Sequence, residues 1–143
     1  MVYLKVAEKS EMTWVNKCYE EAHFVSSNVA KDVVAIAEAD GQKIGLGCLV
    51  AWGDKILELS GIYVFESCRG KGVAKEIVSF LLRQARGSQT IYCIPFEHLS
   101  PFYQQFGFVP CLDDPDVPSG LLERHCWNAT KYPHPTTLLV LKK

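Results

Sequence analysis

The sequence has no basic excess, no long apolar run and no paired cysteines, and each absence removes a class of function. Its 143 residues carry 15 Lys and Arg against 16 Asp and Glu, a formal net charge of −1. Binding along a phosphate backbone wants a positive surplus, so nucleic acid is not expected as a partner. No apolar run approaches the ~20 residues of a membrane span, so no membrane partner is expected either. The Met1–Lys9 stretch carries charges inside its only apolar segment and does not read as a signal peptide. Cys18, Cys48, Cys68, Cys93, Cys111 and Cys126 stand singly, with no Cys-x-x-Cys pair. His125, Cys126 and His134 match no zinc spacing, so no metal is expected. Reduced, mostly buried thiols in a cytosolic protein are the expectation. Repeats, low-complexity tracts and linkers are missing too. The chain therefore reads as one domain over residues 1–143, and its 48% hydrophobic content suits a packed core.

What is present centres on Glu58 to Arg86. The Glu58–Phe65 stretch is rich in β-formers and reads as the end of a strand. Arg69-Gly70-Lys71-Gly72 then makes a glycine turn with two positive charges. Ala74, Ile77, Val78, Leu81, Leu82 and Ala85 follow at the spacing of one helix face. Arg83, Arg86 and Gly87 read as its stop. Strand, glycine turn and helix N-terminus make a phosphate cradle: exposed amides and the positive end of the helix dipole face whatever lies over the turn.

The rest of the chain frames this unit. Val2–Val6 reads as a first strand, Ser10 as an N-cap, and Glu11–Ala22 as a helix. Residues 23–32 show no period. Val33–Ala37, Ile44–Trp52 and Ile56–Phe65 form an antiparallel meander joined at Asp40-Gly41 and Gly53-Asp54-Lys55. Gly45 and Gly47 lie inside a strand with no helix after them, so they mark a bulge or close packing. Thr90–Ile94 is a strand reached by right-handed crossover and therefore parallel to the one before the turn. Pro101 opens a short helix that ends at Gly107, and Phe108-Val109 begins a strand. Residues 111–135 read as a long loop with some helix near Gly120–His125, and Thr136–Leu141 as the last strand. The class is α+β, a mixed and mostly antiparallel sheet flanked by helices.

Two nucleotide motifs are excluded. Gly-Lys-Gly-Val fails the Walker pattern, and Lys75 stands where a dinucleotide fingerprint needs its third glycine. Arg69-Gly70-Lys71-Gly72-Val73-Ala74 instead resembles the Arg/Gln-x-x-Gly-x-Gly/Ala signature of the GNAT (GCN5-related) N-acetyltransferases. Pro101-Phe102-Tyr103-Gln104-Gln105-Phe106-Gly107-Phe108 is similar to the Phe-Tyr-x-x-x-Gly-Phe element late in the same domains. Element order agrees along the whole chain.

That resemblance implies the GNAT fold and an acetyl-CoA cosubstrate. It implies that amides of Arg69, Gly70, Lys71, Gly72, Val73, Ala74 and Lys75 hold the coenzyme A pyrophosphate. It also implies that the backbone of Ile62, Tyr63 and Val64 pairs with the pantetheine arm. Tyr103 matches the tyrosine assigned as general acid toward the leaving thiolate. Strand parity places Glu58, Ser60, Ile62 and Val64 on one face. Glu58 is then the best-placed carboxylate to take the proton of an attacking amine, directly or through water. His98 is a second base candidate. The chain departs from the family at Glu66, where a proline is usual, and at Phe96, where an asparagine usually contacts the coenzyme. Glu97, His98 and Ser100 are the nearby polar residues that could replace that contact.

The expected activity is direct acetyl transfer to a primary amine of a small molecule or peptide, with no cysteine nucleophile. A coenzyme A-binding sensor or interaction module without turnover is the alternative, and a homodimer fits either. Trp52, Trp127, Phe24 and His23 are candidate acceptor-pocket residues, and Asp113, Asp114 and Asp116 could attract a cationic amine. The acceptor's determinants are expected in residues 23–32 and 111–135.

Overall fold

The computed structural model describes residues 1–22, 32–87 and 89–142. It contains a seven-stranded sheet: β1 (Tyr3–Val6), β2 (Val33–Ala39), β3 (Gln42–Ala51), β4 (Ile56–Val64), β5 (Thr90–Cys93), β6 (Val109–Pro110) and β7 (Leu139–Lys142). Their spatial order is β1-β2-β3-β4-β5-β7-β6. Only β4 and β5 run parallel; every other neighbouring pair is antiparallel. Among the described residues four α-helices flank the sheet: α1 (Met12–Glu21), α2 (Val73–Gln84), α3 (Ser100–Gln104) and α4 (Ser119–Lys131). Among the described residues no helix is long and apolar enough to cross a membrane.

The sheet separates two apolar layers. Val73, Ile77, Val78 and Leu81 of α2 pack on Ala35, Leu57, Leu59 and Ile91, and Tyr103 of α3 joins the same cluster. On the opposite face α1 buries Val15, Cys18 and Tyr19 against Val34, Ile36 and Leu46. There, too, α4 buries Leu121 against Tyr92, Leu138 and Val140. Gly45 and Gly47 are packing glycines, as expected. A Cβ on Gly47 would lie 2.7 Å from Ile77 Cγ2 and 2.6 Å from Ile62 Cδ1, so α2 could not sit this close with any side chain there.

The sequence expectations needed four corrections. The first concerns β4. Its pairing with β3 slips between Leu46 and Cys48, leaving Gly61 and Ile62 together opposite Gly47. Gly61 takes φ +63 to make this bulge. An extra residue reverses the alternation. Glu58 and Ser60 therefore do not share a face with Ile62 and Val64; those two join Leu57 and Leu59 on the α2 side. Second, residues 119–131 form a full helix, not a loop with a short helical patch. Its buried positions are Leu121 and the polar Asn128, so it carries little apolar stripe to read. Third, Ser10 is not a cap: it lies inside a 3-10 turn, Lys9–Glu11, which Glu11 closes by accepting the Glu8 amide at 3.0 Å. Fourth, α2 stops at Gln84, and Arg86 lies beyond it with its amide donated to Gln89 at 2.7 Å.

Gly61 makes the bulge testable. A Cβ there would meet the Tyr19 ring and hydroxyl at 2.7–3.0 Å on top of the positive φ. Gly61→Ala is expected to cost about 1–3 kcal/mol for the backbone strain, with the contact adding to it. A melting temperature equal to that of the parent protein would refute this account of the bulge.

Candidate active site

The site begins where two strands part. The β4–β5 ladder ends at the Leu59–Cys93 pair, while β4 continues five residues further, to Val64. Past Leu59, among the described residues, the β5-facing edge of β4 has no strand partner, because the chain turns away at Pro95. A cavity of about 190 Å³ fills the opening, lined by Ser60–Ile62 on one side and Ile94–Phe96 on the other. An unpaired strand edge beside a cavity suits pairing with an extended chain.

Glu58 and Tyr103 both line this cavity, reaching it from opposite faces of the sheet. Glu58 is only 3% exposed, and its Oε1 accepts the Trp52 indole N–H at 3.0 Å. Burial raises its carboxyl above the ordinary range; the Trp52 hydrogen bond and the positive charge of Arg124 pull the other way and lose. Tyr103 packs edge-on against Phe102 at 5.0 Å and Phe108 at 6.3 Å. Burial pushes its phenol well above its ordinary value, with the neighbouring Cys93 adding to the effect. The cavity thus holds a carboxyl whose hold on a proton burial has strengthened and a phenol that keeps its own. Cys93 also faces it, and burial and Glu58 keep that thiol protonated.

The glycine turn opens on a second hollow that meets the first at Ile62. Gly70 and Gly72 take φ +79 and +80, and nothing lies within 4 Å of where their Cβ atoms would be. Gly72 caps α2, whose first amides (Val73, Ala74, Lys75) point out of the helix without i−4 partners. Lys71 and Lys75 are exposed beside them. Arg69 ties the glycine turn to the end of β4. Its Nε donates to the Val64 carbonyl at 2.9 Å, and its guanidinium lies 5.6 Å from the Tyr63 ring centroid.

Other candidates separate. Phe96 lines the cavity and stands amid His98, Tyr132 and His134, with centroids 5.6–5.9 Å apart. His98 stacks on Phe96 and does not reach the cavity lining. Asp114 is turned inward on its own loop, accepting the Asp116 amide at 2.9 Å. Trp52 meets the site through Glu58, whereas Trp127 is 45% exposed on α4. His23 and Phe24 lie outside the described residues. Asp32, Arg124 and Asn128 line the cavity, and sequence patterns singled out none of them. Asp32 ends a stretch without period, Arg124 lies where only some helix was expected, and Asn128 lies in the part read as loop.

The family described as "Acetyltransferase (GNAT) domain" has a sequence model that matches residues 30–110, more than half of the chain. The chain belongs to the GNAT acetyltransferase family. Similar folds reach both ends of this GNAT chain. A Mycobacterium tuberculosis protein, Rv2747, solved with CoA, superposes with TM-score 0.74 at 16% identity, covering 99% of each chain. A GNAT acetyltransferase of Elizabethkingia anophelis with acetyl-CoA bound gives 0.70 at 14%, covering 99% of this chain and 98% of its own. Arabidopsis thaliana Naa50, held with the bisubstrate analogue CoA-Ac-MVNAL, gives 0.71 at 12% and 99% of each. Compared by sequence with curated proteins, the chain matches none.

Proposed function

We propose that this GNAT protein transfers acetyl from acetyl-CoA directly to a primary amine within a ternary complex. The observation that carries the reading is the shared cavity: Glu58 and Tyr103, from opposite faces, meet where β4 and β5 part. The amides of residues 69–75 hold the pyrophosphate over the open glycine turn, and the backbone of Ile62, Tyr63 and Val64, past the end of the β4–β5 ladder, pairs with the pantetheine arm. The thioester then lies in the cavity. Glu58 takes a proton from the acceptor ammonium, and the freed nitrogen attacks the thioester carbonyl. A C–N bond forms and the C–S bond breaks. Tyr103 supplies the proton that turns the leaving thiolate into a thiol. The ammonium gives up two protons overall, one balancing the thiol and one reaching solvent. Cys93 stays out of the reaction because its thiol remains protonated.

Acetyl-CoA is expected to bind at micromolar concentration or tighter and to raise the melting temperature with its logarithm. Titration calorimetry without heat would sink the proposal. Binding without thiol release across amines of every class would leave a coenzyme A-responsive module instead.

A further inference from the structure

Building on acetyl transfer to an amine, we infer that the acceptor is a small free amino acid or similar short aminocarboxylate, its carboxylate held by Arg124. Arg124 projects from α4 into the cavity that holds Glu58. Its guanidinium lies 5.8 Å from the Trp52 ring centroid and 5.5 Å from that of Trp127. Two aromatic contacts fix a flat cation in one orientation. Among the described residues no carboxylate lies within ion-pair distance of it. It is half-buried, and a partly desolvated guanidinium without an anion is the fork that a carboxylate fits bidentately.

A second observation stands one turn along the same helix face. Asn128 is 8% exposed and lines the cavity, yet among the described residues its side-chain amide has no hydrogen-bond partner. That amide is not sealed from solvent, and its donors and acceptor stay available to a ligand in the cavity. Arg124 and Asn128 thus line up donors on the α4 side.

Asp32 and Glu58 bring carboxylates to the same space, and the Asp32 charge adds a little to the upward pull on the Glu58 carboxyl. The cavity lining thus offers carboxylates to an ammonium and side-chain donors to a carboxylate. Its ~190 Å³ is below the ~300–1,000 Å³ typical of drug-sized ligands, which favours a small acceptor over a peptide.

The test is thiol release from acetyl-CoA with free L-amino acids, each paired with its own carboxamide, beside short peptides and polyamines. The acid should exceed its carboxamide at least tenfold in kcat/KM. Arg124→Gln should bring that ratio near one, and Arg124→Lys should retain part of it. If Arg124 only tuned Glu58, its loss would shift the pH profile for acid and amide alike and leave the ratio where it was. Carboxamides, peptides or polyamines serving as well as acids, or a ratio unmoved in Arg124→Gln, would overturn the inference while acetyl transfer stood. No thiol release with any amine, while calorimetry still showed acetyl-CoA binding, would overturn acetyl transfer itself and the acceptor assignment with it.

Discussion

Glu58→Gln lowers kcat by about 10²–10⁴-fold, the range for losing a positioned general base, while acetyl-CoA binding persists. The substitution keeps the shape of the side chain and an oxygen for the Trp52 N–H, now 3.0 Å from Oε1. Among the described residues the second oxygen, Oε2, accepts no hydrogen bond, so it is the atom left for the acceptor's proton. Desolvation puts the carboxyl above its ordinary 4.5. In the parent protein kcat/KM should therefore rise with pH through a limb above that value, and the Gln variant should lack the limb.

Stability gives the same residue an opposite sign. A carboxyl raised in the folded state stabilises below its unfolded pKa, and that contribution is lost as pH rises through the folded pKa. Glu58→Gln should thus melt higher than the parent near pH 8 and no higher near pH 4. A variant that is more stable and far less active excludes unfolding as the cause. Unchanged turnover near pH 8 would remove Glu58 from the proton path.

Glu58 also marks the limit of what the sequence made legible. The meander, the parallel crossover, the glycine turn and the Pro101–Gly107 helix all follow from local signals: turn dipeptides, apolar period, positive-φ glycines. Those signals are properties of neighbouring residues, and they placed Glu58, Tyr103 and residues 69–75 on the right elements. The bulge at Gly61 is different. A glycine inside a strand permits a bulge without requiring one, and only pairing with Gly47 on β3 decides it. Counting by twos therefore carried Ile62 and Val64 to the wrong face. The acceptor side was harder still. Helix α4 buries Leu121 and Asn128, and the Arg124 and Trp127 between them pack through cation–π contact. A helix held by such contacts shows no apolar stripe, so its chemistry became visible only once folded beside Trp52.

Tyr103→Phe is the second large effect: kcat should fall about 10²-fold, with the acetyl-CoA dissociation constant unchanged. The ring's packing on Phe102 and Phe108 survives the change. Among the described residues the phenol has no hydrogen-bond partner, so deleting it orphans no protein group. The melting temperature should accordingly stay near that of the parent, which separates this loss from a folding defect. The pH profile adds a check with a fixed direction. Because burial pushes the phenol well above 10, the parent should show no alkaline limb from Tyr103 at or below that pH. A phenol so reluctant to ionise gives up its proton only as the thiolate's charge develops beside it, so its absence should appear in kcat and leave ground-state binding alone. An unaltered kcat would make Tyr103 a wall of the cavity and pass the leaving thiolate's proton to solvent.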